Sequence, residues 1–199
     1  LLDACLGAVP PRDGTVVRMG VSPRHTHLES LVKRRGVREY DGLIMAREAA
    51  PLPVPGDGWR VEVVDEANRE TYRQVLDEAF RHSPNGASIT EAQVIELMAE
   101  ISHADLLGLG YSDGQAAAAF ELCLQEDVGW IETVGVARAL QGRGLGKAIV
   151  ASAVERLRAH GVGTIKLLVM SSNEPAVRLY RGCGFEVESV MSRWWRLTP

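Results

Sequence analysis

The chain has 199 residues, of which 46% are hydrophobic and 24% are charged, a composition typical of a globular protein and not of a disordered or fibrous one. Its formal net charge of −4 makes nucleic acid a poor partner, because binding to a phosphate backbone needs a surplus of Lys and Arg. No run approaches the ~18 continuous apolar residues of a membrane-spanning helix, so no membrane partner is expected.

The first predicted element is a short apolar strand at Val16–Met19, within an amino-terminal segment that we place at residues 1–50. This segment weakly repeats the end of the chain. A displacement of 148 residues lays Gly36 on Gly184 and aligns residues 31–37 with the residues around that second glycine. The match predicts that the segment is the tail of a degenerate second copy of the main domain, with chance similarity as the alternative.

A linker is predicted next, at residues 51–58. This stretch contains three prolines and two glycines, which disfavour a helix and a central strand. We therefore place the main domain at residues 59–199. It opens with Trp59–Val64, where apolar and polar residues alternate as in a half-buried strand.

Two helices are predicted after this strand. Residues 67–82 place apolar side chains at three- and four-residue intervals, which is the pattern of one helix face. A capping box, Thr90-x-x-Gln93, then marks the start of the second helix.

The chain next changes to short β segments and then alternates helices with strands. Three strands separated by turn residues predict an antiparallel meander. Gly161 is the stop signal of the long helix that follows. In order, the predicted elements are strands Leu106–Tyr111, Ala116–Leu124 and Trp130–Val136, helix Gly144–His160, strand Thr164–Val169, helix Asn173–Cys183 and one or two strands in Phe185–Arg196. This order predicts a mixed α/β sheet.

The turn before the long helix carries glycines at positions 142, 144 and 146. Glycines allow a sharp turn and let a ligand approach the backbone with no Cβ in the way. The amides of residues 142–147 would point outward at a helix start, where unpaired N–H groups and the positive end of the helix dipole favour an anion. The sequence therefore predicts a ligand with phosphate groups, such as a pyrophosphate.

Spacing separates three kinds of phosphate-binding turn. A dinucleotide fingerprint, Gly-x-Gly-x-x-Gly from Gly142, would need glycine where the chain has Lys147. A P-loop would need glycine at position 141 and a hydroxyl at position 148, where the chain has Gln141 and Ala148. The remaining pattern, over residues 141–146, is Gln-x-x-Gly-x-Gly.

This pattern closely resembles the pyrophosphate loop, Gln/Arg-x-x-Gly-x-Gly/Ala, of the GNAT superfamily of N-acetyltransferases. A second stretch, residues 173–185, resembles that family's second motif, Asn-x-x-Ala-x-x-Leu-Tyr-x-x-x-Gly-Phe, and matches it at every fixed position. The order of elements from residue 59 is also similar to the family's order. The resemblance implies a mixed, mostly antiparallel central sheet with splayed strands, flanked by helices, to which the partial repeat at the amino terminus is added.

The resemblance also implies acetyl-CoA as the cosubstrate and no metal. Backbone groups of the strand before the loop would meet the acetyl carbonyl and the pantetheine. The loop amides would hold the pyrophosphate, with Arg143 and Lys147 adding positive charge. Asn173 would hydrogen-bond the pantetheine, cap its helix, or do both. The implied cofactor-binding residues are Val134, Val136, Gln141, Gly142, Arg143, Gly144, Leu145, Gly146, Lys147, Asn173 and Tyr180.

Two residues are candidates for proton transfer. Tyr180 matches the tyrosine that similar enzymes use as a general acid toward the departing CoA thiolate. Its alternative role is a buried aromatic whose hydroxyl only satisfies a backbone group. Glu132, on the strand that leads to the loop, is the candidate general base for the acceptor ammonium, with a solvent-facing role or a water chain as the alternatives.

The predicted function is transfer of an acetyl group from acetyl-CoA to a primary amine of a small molecule or peptide, by direct attack in a ternary complex. The alternative is a non-catalytic acyl-CoA-binding, sensory or structural module on the same fold. The acceptor itself is not identified by the sequence. Its specificity would lie in residues 67–102 and in the closing strands, where Trp194 and Trp195 either line a pocket or simply pack.

The three cysteines are odd in number and lack a Cys-x-x-Cys spacing, so neither a disulfide framework nor a zinc site is expected. Cys183 is interpreted as a buried thiol and not as an acyl carrier. No export signal follows Leu1. We therefore expect a cytoplasmic protein that acts as a monomer or homodimer.

Overall fold

The computed structural model describes residues 16–54, 56–81 and 88–197. Across these ranges, no helix is both long enough and apolar enough to span a membrane. The strands of the described chain are β1 (Val17–Val21), β2 (Gly36–Glu48), β3 (Trp59–Val63), β4 (Leu107–Ser112), β5 (Gln115–Gln125), β6 (Val128–Val136), β7 (Thr164–Met170) and β8 (Glu186–Leu197). Its α-helices are α1 (Thr26–Lys33), α2 (Arg69–Phe80), α3 (Glu91–Glu100), α4 (Leu145–Ala159) and α5 (Glu174–Gly182).

The predicted fold class, a mixed and mostly antiparallel α/β fold, is confirmed. The bounds predicted for the elements after residue 59 lie within two residues of the observed ones, and the closing stretch is a single strand, β8. The capping box of α3 is also present. Thr90 Oγ1 accepts from the Gln93 amide at 3.3 Å, and Gln93 Oε1 accepts from the Thr90 amide at 2.8 Å.

The described residues fall into two compact units. The first unit holds the chain up to Met45, together with Leu168–Arg178 and the chain from Glu186 onward. The second unit holds Ala46–Leu167 and Leu179–Phe185. Strand β7 and helix α5 therefore contribute residues to both units.

The second unit is built on the predicted meander. Strands β3, β4, β5 and β6 pair antiparallel in chain order, and β7 begins parallel to β6. Helices α2 and α3 bury apolar side chains against β4 and β5, which is the packing that their three- and four-residue spacing requires. The buried core residues of this cluster are Val64, Tyr72, Val75, Leu76, Val94, Leu107, Leu109 and Ala119.

In the first unit the strand order is β1-β8-β2-β7, and β1 pairs antiparallel with β8. Val21, Val32, Trp195 and Leu197 form its buried cluster. Of the two roles foreseen for Trp195, the structure shows packing, since only 7% of this residue is exposed. Its neighbour Trp194 stacks on Tyr40, with ring centroids 5.8 Å apart.

The displacement of 148 residues aligns elements as well as residues. It lays β1 on β7, α1 on α5 and β2 on β8, with each bound within two residues of its counterpart. The same displacement puts Val32 at the position of Tyr180, and His25 at the position of Asn173. The order strand, helix, strand therefore occurs twice in this chain with equal spacing.

Candidate active site

A β-bulge lies in β6, the strand that leads into the glycine-rich loop. Glu121 of β5 pairs with Thr133, and the next residue, Leu122, pairs with Ile131. Glu132 is therefore an extra residue with no partner of its own across this ladder. Bulges bend a strand and change the direction of the side chains that follow, and they are frequent beside active sites.

The bulge exchanges the two faces of β6. A Cβ on Gly129 would lie 2.9 Å from Leu157 of α4, whereas a Cβ on Gly135 would lie 2.8 Å from Ala79 of α2. In a regular strand these two positions would share a face, because side chains alternate with a period of two. Beyond the bulge, odd-numbered side chains of β6 thus face α2 instead of α4.

Strand β6 also leaves β7 at this point. Their parallel register comprises four pairs, from Val128–Thr164 to Ile131–Leu167. Residues 132–136 continue β6 past the last of these pairs. Within the described residues, the register of β6 with β7 does not extend to this stretch, and the N–H and C=O groups of such a strand edge can bind an extended ligand. The register between β6 and β7 thus ends one residue before Glu132.

Val134 and Val136 lie on this open stretch, and both are half-buried. Val136 packs against the small buried cluster of Ala117, Ala137 and Leu140. Core packing involves the side chains of these two residues and is compatible with a role of their backbone groups toward a ligand.

The glycine-rich loop follows a 3₁₀ turn at Arg138–Leu140. Gln141 Nε2 donates to the Val136 carbonyl at 3.0 Å, which braces the loop against the end of β6. Gly142 and Gly144 have φ values of +78° and +83°, a left-handed conformation that favours glycine. Gly144 is the N-cap of α4, so the helix starts where the sequence predicted.

The amides of residues 142–146 donate to no backbone carbonyl within the described chain. On either side of this run, the Gln141 amide donates to Arg138 O at 3.3 Å and the Lys147 amide donates to Gly144 O at 3.0 Å. Residues 141–144 are exposed. A run of unpaired N–H groups at the start of a 15-residue helix is a favourable place for an anion, because the helix dipole adds positive potential there.

Helix α5 packs against the start of α4. A Cβ on Gly146 would lie 3.0 Å from a methyl group of Leu179 of α5, a tight contact that would require Leu179 to shift by a few tenths of an ångström. Lys147 Nζ lies about 3.9 Å from the Cβ position of Gly182, at the carboxyl end of α5, where a positive charge is favourable. The loop and the helix that carries Tyr180 are thereby held together.

Tyr180 lies on this part of α5 and is only 8% exposed. Its ring packs edge-on against Phe185, with centroids 6.0 Å apart. Within the described chain, no hydrogen bond joins its hydroxyl to another residue, so the proposed bond to a backbone group is not present. Burial raises the pKa of the phenol to about 12, which keeps the hydroxyl protonated at neutral pH.

Cys183 is 4% exposed, and burial raises the pKa of its thiol, in agreement with the predicted buried thiol. Arg47, the second residue of the second unit, donates through Nη1 to the Cys183 carbonyl. The same guanidinium donates to Ala50 O at 2.8 Å and lies 5.7 Å from the Phe185 ring centroid. One arginine thus supports the turn that follows the tyrosine helix.

Glu132 is exposed at the bulge. A second carboxylate, Glu121, lies beside it, half-buried, with the Thr133 hydroxyl donating to Glu121 Oε2 at 3.2 Å. Sequence reasoning missed Glu121, because it stands within the apolar run of β5. The signal was a single acidic residue between Phe120 and Leu122, two side chains that are almost fully buried.

Asn173 belongs to the first unit and directly precedes α5. Its Oδ1 accepts from the Ala176 amide at 3.3 Å, and its carbonyl accepts from the Val177 amide at 3.0 Å. This is the helix-capping role foreseen for it. The end of β6, the loop and Tyr180 all lie in the second unit.

Comparison with known proteins matches the part of the chain that contains β6, the glycine-rich loop and Tyr180. The family model described as acetyltransferase (GNAT) family matches residues 63–185. A mycothiol acetyltransferase from Catenulispora acidiphila is 30% identical over 78% of this chain, and one from Actinosynnema mirum is 31% identical over 98% of it. The chain spans 54% and 66% of the lengths of these two relatives.

Solved structures share the fold. A GCN5-related N-acetyltransferase from Sphaerobacter thermophilus aligns with 98% of this chain and 63% of its own, with a TM-score of 0.76 and 21% identity. The acetyltransferase yncA from Salmonella typhimurium, solved with its cofactor acetyl-CoA, covers 71% of this chain and 94% of its own, with a TM-score of 0.56 and 16% identity.

Proposed function

The chain belongs to the acetyltransferase (GNAT) family, and on this premise we propose that it transfers an acetyl group from acetyl-CoA to a primary amine. The acceptor amine attacks the thioester directly in a ternary complex. Acetyl-CoA is a cosubstrate here, and no residue in the proposal requires a metal.

The observation that carries this proposal is the set of unpaired amides at residues 142–146, at the start of α4. Their N–H groups would hold the pyrophosphate of acetyl-CoA, and the exposed cation of Arg143 would add charge-assisted contacts. Gly142 and Gly144 leave the space above this backbone open, since a Cβ at either position would meet no atom within 4 Å.

From this loop the pantetheine would follow the open edge of β6. We propose that the backbone of Val134 and Val136 receives it, as an added strand would be received at a sheet edge. Asn173 would bind it through the side-chain groups that its capping role leaves available. Backbone N–H groups of the same edge would stabilise the oxyanion that forms when the amine attacks the thioester.

Tyr180 is proposed as the general acid. When the carbon–sulfur bond breaks, its electron pair goes to sulfur, and the phenol supplies the proton that sulfur needs. The high pKa of Tyr180 keeps that proton in place until the bond begins to break. The amide nitrogen then returns a proton to the tyrosine. For the proton that the ammonium must lose first, we propose a carboxylate at or beside the bulge, where Glu132 and Glu121 are the two candidates.

The acceptor is proposed to be a small-molecule amine. Two relatives are named mycothiol acetyltransferase, which supports a small molecule over a protein as the acceptor. A panel of spermidine, glucosamine, kanamycin, L-lysine and a lysine-containing peptide, assayed for release of CoA, would test this choice. Turnover of the peptide alone would contradict it.

Acetyl-CoA is expected to raise the melting temperature of the protein, and NAD⁺ and ATP·Mg are not. A ligand that binds only the native state stabilises it by mass action, by about 2.7 kcal/mol at a hundredfold excess over Kd. Thermal unfolding with each ligand at equal concentration measures this effect. Equal shifts from all three would indicate unspecific anion binding and would contradict the proposed site.

We also propose that residues 1–50 are the tail of a degenerate second GNAT copy, with residues 51–58 as the linker to the acetyltransferase domain at residues 59–199. The repeated strand-helix-strand order at a constant displacement supports this proposal. Because Val32 stands where the acetyltransferase domain has Tyr180, the degenerate copy has no phenol at the matching position.

A further inference from the structure

The half-buried face of the β5–β6 hairpin beside the bulge carries polar and aromatic side chains. Glu121 and Thr133 are paired across the strands and joined by a hydrogen bond, so they share this face. Cys123 and Trp130 form the next pair on the same side of the hairpin, since residues two apart in a regular strand share a face. All four side chains are half-buried.

The opposite face of the hairpin is closed by the core. Leu122 and Ile131, which pair with each other there, are 1% and 3% exposed. On the polar face, helix α2 covers the end where Ala119 packs into the core and a Cβ on Gly135 would meet Ala79. Beyond that end, the four half-buried side chains form a floor that is partly open to solvent. This floor lies next to the end of the register between β6 and β7.

Glu121 is the carboxylate of this floor, and its surroundings shift its pKa in both directions. Burial raises its pKa, the Thr133 hydroxyl lowers it, and the nearby Glu132 raises it again. From α2, the buried Tyr72 faces it, and the charge of Glu121 in turn raises the pKa of that phenol. Its neighbour on β4 is the apolar Leu107.

The cation on the neighbouring strand lies beside Trp130 and not beside Glu121. This cation is Lys166 of β7, which is paired with Trp130 and so lies one strand beyond the β5–β6 hairpin. The acidic groups that interact with Glu121 are Glu132 and the phenol of Tyr72. Within the described chain, the Glu121 carboxylate has no cation in direct contact.

We propose that Glu121 is a further catalytic residue, the group that takes the proton from the acceptor ammonium, and that Trp130 holds the cationic part of the acceptor beside it. This inference rests on the proposed acetyl transfer. Glu132 then acts as the exposed charge that attracts the ammonium and keeps Glu121 basic, instead of holding the proton itself. An ammonium over an indole ring and between carboxylates is a stable arrangement.

The ammonium gives one proton to the Glu121 carboxylate, and the freed lone pair forms the nitrogen–carbon bond to the thioester. After the carbon–sulfur bond breaks, Tyr180 protonates sulfur and recovers a proton from the amide nitrogen. Protonated Glu121 returns its proton to solvent through the open side of the floor.

Glu121→Gln tests the inference, with Glu132→Gln as the matched control. Glutamine keeps the shape of the side chain and can still accept from Thr133. At pH 7, Glu121→Gln is expected to lower kcat/KM by about 10²-fold, the lower end of the effect of a positioned base. Glu132→Gln is expected to lower it less than about tenfold, because only an attracting charge is lost.

The pH profile separates a base from a structural residue. In the wild type, kcat/KM should rise through the raised pKa of Glu121 and then reach a plateau. In Glu132→Gln the rise should move to lower pH, because removing the neighbouring negative charge lowers the pKa of Glu121. In Glu121→Gln the rate should keep rising with pH toward the pKa of the amine itself. If instead Glu132→Gln alone removes the acidic limb, Glu132 is the base and the inference fails.

A titration decides the question if no acceptor in the panel is turned over. The glutamate carboxyl carbon resonance that disappears in Glu121→Gln should titrate above the usual glutamate range, and lower in Glu132→Gln than in the wild type. A resonance at or below the usual range would overturn the inference. Absence of any acetyl-CoA stabilisation would instead contradict the proposed function, so the two failures are distinguishable.

Discussion

Tyr180→Phe is expected to lower kcat by about 10²–10⁴-fold, the usual range for loss of a positioned proton donor, with little change in acetyl-CoA affinity. The substitution removes one hydroxyl and keeps the ring that packs against Phe185. Because no described residue hydrogen-bonds that hydroxyl, its loss leaves no partner unsatisfied and the fold should be unaffected. Release of CoA, measured with the best acceptor of the amine panel, gives the rate.

Tyr111→Phe is the matched control, since Tyr111 lies on β4 under the guanidinium of Arg60, 4.2 Å from its ring centroid. This variant should keep wild-type kcat. The effect at Tyr180 should also shrink with a thioester whose leaving thiol is more acidic, because such a thiolate needs less help from an acid. Wild-type kcat in Tyr180→Phe would remove the general-acid assignment and leave the fold and the cosubstrate site intact. If neither the wild type nor the variant releases CoA with any acceptor of the panel, a module that binds acyl-CoA without catalysis is favoured.

Gly144→Asp is expected to abolish acetyl-CoA binding in a protein that still folds. Like charges about 4 Å apart repel by about 4 kcal/mol at a protein surface, which corresponds to roughly a 10³-fold loss of affinity. Asp tolerates a left-handed backbone, such as that of Gly144 with φ +83°, better than most residues do. The melting temperature without ligand should therefore be close to that of the wild type, while the shift caused by acetyl-CoA disappears.

Gly161→Asp controls for the glycine conformation. Gly161 has φ +80°, and a Cβ there would also meet no atom within 4 Å, but it lies at the opposite end of α4. This variant carries the same backbone strain and charge away from the loop, and it should retain the acetyl-CoA shift. If Gly144→Asp binds acetyl-CoA as tightly as Gly161→Asp, the loop is not the binding site.

Most elements could be predicted from the sequence because their patterns are local. The helix spacing in residues 67–82, the capping box at Thr90 and the glycine at position 161 each depend on neighbours within one or two turns. The loop could be predicted equally well, because the left-handed φ values of Gly142 and Gly144 favour glycine, and glycine is visible in the sequence itself.

The bulge and its consequences could not be predicted in this way. Whether Glu132 is an extra residue depends on how β5 pairs with β6, and a shift of one position exchanges the faces of every residue after it. For the same reason, no sequence pattern showed that Glu121 lies beside Thr133. Strand β2, Gly36–Glu48, was also missed as an element, because charged residues interrupt the apolar alternation along its first half.

Arg47 ties the turn after the tyrosine helix to the chain that precedes the linker. Both GNAT motifs lie after residue 58, so the linker would be the obvious place to cut a minimal enzyme out of this sequence. Such a cut would discard the guanidinium that binds the Cys183 carbonyl and covers Phe185, the ring against which Tyr180 packs. The smallest piece of the chain that keeps the tyrosine helix fully supported therefore begins upstream of Arg47, well before the family motifs do.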